Sequence, residues 1–260
     1  MSKKRDYRER LARFQQAMSE FCQSKPSGLE FIFEQLSDES LLHSYDEIVD
    51  WYEWHVVNDK TTVIQIPLSE CRDWVLCRTS GSLVHSSGDF FRVDGVRTQS
   101  APTREVSSGW DQPFLTQVGF DGGIIGLLRK RFGGVPHYLC ECKMEPGNYR
   151  KIQVTTTLQA TFSNLRRSHG GRKTPYAEYF ESPEENDCVV VTDQWASEDG
   201  GRLFNKRNRT MIVEHAEGID LPLLASRYRW CSLYQLKRLT AEHNALVSPH
   251  IRSVLGFVGA

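Results

Sequence analysis

The chain has 260 residues, 39% of them hydrophobic and 25% charged, which suits a globular protein with a proper core and excludes a disordered or fibrous chain. Its net charge is −1 at pH 7, so it has no overall positive field for a nucleic acid, while a local cationic pocket for phosphate stays open. No window reaches the length of a membrane span, and the charged start Met1–Asp6 leads into no apolar stretch, so neither a membrane segment nor a signal peptide is expected.

The seven cysteines, Cys22, Cys71, Cys77, Cys140, Cys142, Cys188 and Cys231, are odd in number and show no CxxC or zinc-ribbon spacing. They read as reduced core thiols of a cytoplasmic protein without a metal centre.

In chain order, Tyr7, Leu11, Phe14, Met18, Phe21 and Cys22 recur at helical spacing and predict an amphipathic helix over 6–23. Ser44 and Glu47 form a capping-box pattern, followed by Ile48, Trp51, Tyr52, His55 and Val56 on one stripe. Residues 1–59 thus read as an N-terminal helical segment for packing or dimerisation, and 60–260 as a separate module. From residue 61 the texture turns to short β-branched and aromatic runs. Thr62–Pro67, Asp89–Val96, Phe114–Val118, His137–Met144, Ile152–Leu158, Cys188–Thr192 and Thr210–His215 predict strands. Cys188–Val191 is apolar without alternation, as for a strand buried on both faces. Ile124–Arg131 fits helix or strand. Helices return at Ser232, with Gln235 completing a second capping box, and at Ser248-Pro249. The fold class is α+β, with helices at both ends of the chain.

Three stretches could carry chemistry. From Lys143 to Phe180 the chain is dense in hydroxyls and amides. In an extended strand Gln153, Thr155, Thr157, Gln159 and Thr161 share one wet face, with Ser163 and Asn164 just beyond. An ordinary solvated sheet face explains this pattern equally well. Its flanks favour a site, because the turn Glu145-Pro146-Gly147 brings a carboxylate and His169 stands beside two glycines. The second stretch runs from Thr192 to Glu214. Its acidic turn is followed by Lys206-Arg207-Asn208-Arg209, with cations able to neutralise a diphosphate, though charge runs are often merely solvated loops. If extended, Arg207 and Arg209 face one way and Lys206 and Asn208 the other. The third stretch holds His85, and Phe90, Phe91 and Trp110 offer a stacking surface, although core packing is the commoner use of such residues.

These segments resemble the NDP-hexose 2,3-dehydratases of deoxysugar biosynthesis. The likeness is carried by HSSGDFFRVDGVR from His85, WDQP from Trp110, CKMEPGNYRKIQVTTTLQATFSNLRRSHGG from Cys142, SEDGGRLFNKRNRTMIVE from Ser197 and RWCSLYQLKRL from Arg229. The resemblance implies a Nudix-like mixed β-sheet flanked by helices, usually present as a tandem duplication, of which this chain is similar to the first half. The glutamate-rich Nudix box is absent, which argues against pyrophosphate hydrolysis. Ala196–Gly200 stands in place of the family word QSEQG, Thr155–Thr157 in place of SPT, and Leu165 in place of a tyrosine.

The resemblance also implies a dTDP-4-keto-6-deoxyhexose substrate, loss of its 2-hydroxyl as water, and no organic cofactor. Elimination next to a ketone needs a base near C3, a donor for the enolate oxygen and an acid for the leaving hydroxide. Glu145, His169 and Glu198 are the candidate acids or bases, and Lys143 and Tyr176 the candidate oxyanion or leaving-group donors. Gln153, Gln159, Thr161 and Asn164, with His85 and Trp110, would contact the sugar nucleotide. Arg202, Lys206, Arg207 and Asn208 would hold its diphosphate end. Two other readings are a catalytically idle sugar-nucleotide-binding module and a 4-keto-sugar 3,4-ketoisomerase. A single module further predicts a homodimer that recreates the duplicated arrangement.

Overall fold

The computed structural model describes residues 2–19, 26–117, 122–165 and 173–256. Helices α1 (Ser2–Ser19), α2 (Pro26–Glu34) and α3 (Tyr45–Asn58) come first. A four-stranded antiparallel sheet follows in the order β1 (Trp74–Leu76), β2 (Leu83–His85), β3 (Phe91–Gln99), β4 (Gly109–Gln117). The main sheet is built from β5 (Ile124–Phe132), β6 (Val135–Met144), β7 (Ile152–Thr155), β8 (Leu158–Ala160), β9 (Cys188–Ser197), β10 (Arg207–His215) and β11 (Tyr228–Cys231). Between and after these strands lie α4 (Phe162–Leu165), α5 (Glu178–Glu181), α6 (Leu233–Glu242) and α7 (Pro249–Leu255). The order is β11-β6-β5-β10-β9, with β5 and β10 parallel and the other neighbours antiparallel. The molecule is α+β, as expected.

Strands β5 and β6 pair only as far as Leu128 opposite Leu139, then diverge. Into the fork come β8, paired to β5, and β7, paired to β6. At the crotch the Thr157 hydroxyl accepts the Leu128 N–H at 2.8 Å and donates to the Leu139 carbonyl, replacing the ladder bonds lost there. This fork opens the sheet where the functional residues gather.

Both sheet faces are covered. Ile125, Leu127 and Ile212 face α3, α6 and α7 through Ile48, Trp51, Tyr52, Leu236 and Ile251, while Leu128, Met211 and Val213 face Phe180 and Tyr176. Burial on both faces explains why Ile124–Arg131 reads ambiguously in sequence yet forms a central strand. The two capping boxes form: Glu47 accepts the Ser44 N–H at 2.7 Å, and Gln235 accepts the Ser232 N–H at 2.9 Å. On the flank, α2 is pinned by a buried charge cluster. Arg129 bonds Glu34 at 2.7 Å and also pairs with Glu214, Tyr138 donates to Glu34 at 2.8 Å, and Arg131 grips Glu30.

Several expectations change. Thr62–Pro67 forms no strand: Val63, Ile64 and Ile66 are exposed and no neighbouring strand pairs with them. Cys188–Val191 starts an edge strand, with Val189 64% exposed. Ile152–Leu158 is two strands joined by Thr156-Thr157, so the expected wet face does not exist: Thr155, Thr156 and Thr157 are all buried. The first helix begins at Ser2, and the end predicted for it lies outside the described residues. Cys71, Cys77, Cys140, Cys142, Cys188 and Cys231 are free thiols, the last four buried; Cys22 lies outside the described residues. Among the described residues no helix is long and apolar enough to cross a membrane.

Candidate active site

A pocket of about 290 Å³ opens at the fork, lined by Phe91, Ile125, Lys143, Glu145, Gln159, Ala160, Thr161, Asn164, Glu198, Leu203, Lys206, Asn208 and His250. Nine of these, Phe91, Lys143, Glu145, Gln159, Thr161, Asn164, Glu198, Lys206 and Asn208, are residues that the sequence singled out.

Each is placed by local structure. Lys143 stands near the end of β6, opposite Gln153 of β7. A tight turn follows, closed by Asn148 N–H to the Glu145 carbonyl at 3.0 Å, and it returns the Glu145 carboxylate to within 3.0 Å of the Lys143 ammonium. Lys143 also donates to the Gln159 carbonyl at 3.3 Å, tying β6 to β8 across the fork. Gly123 leads into β5 so close to β8 that a Cβ there would lie 2.2 Å from the Ala160 carbonyl oxygen; no side chain fits. Thr161 bonds the Ser163 hydroxyl at 2.9 Å and receives the Asn164 N–H, starting α4 at the pocket rim.

Opposite these groups, Glu198 N–H bonds the Lys206 carbonyl at 2.9 Å, closing the loop between β9 and β10. Asn208 donates its side-chain amide to Glu198 Oε1. His250 comes from α7, its Nε2 lying 3.8 Å from Glu198 Oε1. Burial pulls this imidazole below the ordinary histidine value; Glu198 opposes the shift, Lys143 adds to it, and Glu145 opposes it. The alternation expected around Lys206 holds. Lys206 and Asn208 face the pocket, whereas Arg207 lies 4.4 Å over the Trp195 ring and Arg209 bonds Asp193 at 2.8 Å.

A larger neighbouring cavity of about 540 Å³ lies between β3, β4 and the start of β10, lined by Arg92, Asp94, Gly95, Val96, Thr116, Gln117, Gly122, Phe204, Asn205, Lys206 and Arg207. Lys206 lines both spaces. Burial alone would raise the Asp94 carboxyl, but the hydrogen bond from Ser82 at 2.6 Å, the nearby Thr116 hydroxyl and the Arg92 guanidinium, bonded at 2.7 Å, outweigh it and hold the group below the ordinary aspartate value. The two sheets meet beside this cavity, where Leu115 N–H bonds the Arg202 carbonyl at 2.9 Å and Phe204 N–H the Leu115 carbonyl at 3.0 Å.

Other expected residues line neither space. Tyr176 is buried in the core, its hydroxyl donating to the Pro222 carbonyl at 3.0 Å and accepting the Leu224 N–H at 2.9 Å. Gln153 is buried and donates to the Ala245 carbonyl, because the turn after Thr155 separates its direction from that of Gln159. His85 packs on the small sheet against Trp74 and Phe90 and bonds Ser87. Trp110 donates to Gln112 at 2.6 Å, and Arg202 bonds Asp199 at 2.6 Å in the exposed turn. His169 lies outside the described residues. The sequence reading missed Leu203 and His250. For His250 the available signal was Ser248-Pro249, which marks a helix start but not what its first turn faces.

A profile of the NDP-hexose 2,3-dehydratase family matches residues 45–258. The chain belongs to that family. It is 37% identical over 200 residues to a dTDP-4-dehydro-6-deoxy-alpha-D-glucopyranose 2,3-dehydratase of Amycolatopsis orientalis, covering 74% of this chain and 40% of that protein. A protein of the same description from Saccharopolyspora spinosa is 34% identical over 75% of this chain and 38% of its own length. One from Streptomyces violaceoruber is 37% identical over 63% and 36%. The chain therefore spans about two fifths of the length of these curated relatives. Among solved structures, the Nudix hydrolase RenU of M. smegmatis matches with a TM-score of 0.32 and 16% identity, over 62% of this chain and 91% of that one. A C. elegans Ap4A hydrolase matches with a TM-score of 0.28 and 13% identity, over 51% and 91%.

Proposed function

We propose that this member of the 2,3-dehydratase family is a hydro-lyase that removes the C2 hydroxyl and the C3 proton from a dTDP-4-keto-6-deoxyhexose. The observation that carries the reading is the convergence of Lys143, Glu145, Glu198 and His250 on one pocket lined by amides and a hydroxyl. Those are the groups an enolate-forming elimination requires: proton acceptors, a cation for developing negative charge, and hydrogen-bonding groups to orient a sugar. The activity for which the relatives are named supports the same substrate class.

In this reading the hexose occupies the smaller pocket and the nucleoside the larger cavity. Lys206, shared by both, and Arg207 hold the diphosphate between them. Gln159, Thr161 and Asn164 orient sugar hydroxyls. Lys143 faces the enolate oxygen and the departing hydroxyl, and Glu145 keeps its ammonium in place. Glu198, steadied by Asn208, takes part in proton transfer. The assignment of 1–59 to a helical segment and 60–260 to the catalytic module belongs to the same proposal, as do a cytoplasmic setting and pairing of two copies. The exposed apolar row Val63, Ile64, Ile66, Leu68, Val75 and Leu76 supports pairing. Light scattering that finds only monomer at micromolar concentration refutes it.

The test of function is incubation with dTDP-4-keto-6-deoxyglucose followed by reductive trapping and NMR of the product. A 2-deoxy product is expected. The departures from the family words at Thr155–Thr157, Leu165 and Ala196–Gly200 favour one alternative, an idle sugar-nucleotide-binding module. Tight dTDP-sugar binding with the 2-hydroxyl fully retained would establish that alternative instead.

A further inference from the structure

We infer that His250 is the base that removes the C3 proton, with Glu198 holding the ring and stabilising the imidazolium that results. This rests on the elimination reading above and names the residue that begins the reaction.

The approach to α7 is fastened to the fork: Val247 bridges Val154, Ser248 N–H bonds the Val154 carbonyl at 2.9 Å, and the Ser248 hydroxyl donates to Thr155 at 2.8 Å. The same hydroxyl accepts the Ile251 N–H and caps the helix. Ile251 and Val254 are fully buried in the main core, so the first turn has little freedom to swing. His250 is therefore presented to the pocket by a clamped turn, and buried Thr155 is the positioning residue behind it.

The surroundings fix its chemical state. Glu198 just after β9, Lys143 from β6, Glu145 from the turn after β6 and Lys206 before β10 all line the space that His250 enters. Burial, helped by Lys143, keeps the ring neutral at pH 7, so it has a nitrogen lone pair to offer. One ring nitrogen faces the Glu198 carboxylate at 3.8 Å, leaving the other for substrate. Contacts of this kind tighten when substrate expels water. Glu145 is a weaker candidate because its carboxylate is ion-paired with Lys143 at 3.0 Å.

The step balances without an oxidant or reductant. The C3–H bond breaks, its proton passes to His250, and the electron pair forms the enolate on C4 oxygen. The enolate collapses to expel the C2–O bond pair, and the leaving oxygen takes a proton from the Lys143 ammonium to depart as water. The resulting enol gains a proton at C2 and loses its hydroxyl proton at C3, giving a 3,4-diketone. Lys143 and His250 then recover their starting states by exchange with solvent.

The experiment is wash-in of deuterium at C3 of dTDP-4-keto-6-deoxyglucose in D2O, with the whole chain and with His250→Gln and His250→Asn. Both variants should lose exchange and elimination by roughly 10²- to 10⁴-fold, while dTDP binding stays within about threefold of the parent, a free-energy change of only ~0.6 kcal/mol. The parent's acid limb should fall below the ordinary histidine pKa and vanish in the variants. Either variant exchanging at the parental rate with the same acid limb overturns the inference and leaves the dehydratase reading intact. A parental rate that is flat across the histidine range, roughly pH 5 to 8, overturns it even if neither variant folds. A parent that shows neither exchange nor elimination defeats the dehydratase reading itself.

Discussion

Replacing Thr157 with valine keeps the shape of the side chain and removes the hydroxyl that joins the fork. In the parent that oxygen satisfies two buried backbone groups, the Leu128 N–H and the Leu139 carbonyl, and Thr157 itself is 1% exposed. Valine leaves both groups without a partner and gives water no way in. An unsatisfied buried polar group costs about 1–3 kcal/mol, so the pair should cost about 2–6 kcal/mol. Thr157→Ser retains the hydroxyl and loses one buried methyl, worth about 1 kcal/mol. Urea unfolding followed by tryptophan fluorescence gives both numbers from the shift in midpoint at constant slope. Whole domains are stable by only about 5–15 kcal/mol, so Thr157→Val should be visibly weakened and Thr157→Ser nearly parental. A larger loss in Thr157→Ser than in Thr157→Val would show that the methyl, not the hydroxyl, matters, and would refute this account of the fork.

Three further outcomes are expected. Gly126→Ala should lower stability by about 1–3 kcal/mol, because the new Cβ would lie 2.3 Å from the Phe180 ring; an unchanged thermal midpoint contradicts this. Arg129→Met should cost about 3–5 kcal/mol by leaving Glu34 buried without its cation, and adding Glu34→Gln should recover part of the loss in a double-mutant cycle; additive losses would deny the coupling. His137 is buried, with Nε2 accepting the Leu41 N–H at 3.1 Å and Nδ1 facing the Val135 carbonyl at 3.0 Å, and burial lowers its pKa from 6.5 to about 4. The unfolded chain therefore binds the extra proton between those values. The histidine's contribution is fully present above about pH 6.5 and is lost as pH falls toward about 4, to a total of about 3 kcal/mol. Urea midpoints measured across that range should fall with acid in the parent and less steeply in His137→Asn, and parallel slopes would contradict the assignment.

Features set by neighbours in sequence were legible before the fold was known. The Ser44–Glu47 and Ser232–Gln235 boxes depend on residues three apart, and both formed where expected. Most of the pocket was legible for a related reason, since Lys143–Asn164 and Glu198–Asn208 are two continuous stretches that the fork and the β9–β10 loop fold against each other. The alternation around Lys206 survived because β10 is regular there. It failed at Thr155–Thr157 because the chain turns at that point and changes strands, which simple period-two counting does not register. His250 was hidden because it reaches the pocket through the seating of α7 on β7, a contact between residues about ninety apart in sequence. The Arg129 cluster was equally hidden, since Glu30 and Glu34 meet their arginines only when α2 lies on the sheet.

The most direct test of the central claim is a crystal structure of the chain with a non-reacting dTDP-hexose. The account predicts the hexose ring between Lys143, Glu198 and His250, the diphosphate on Lys206 and Arg207, and the base in the cavity beside β3 and β4. A ligand bound elsewhere, with this pocket empty and its side chains unmoved, would contradict it.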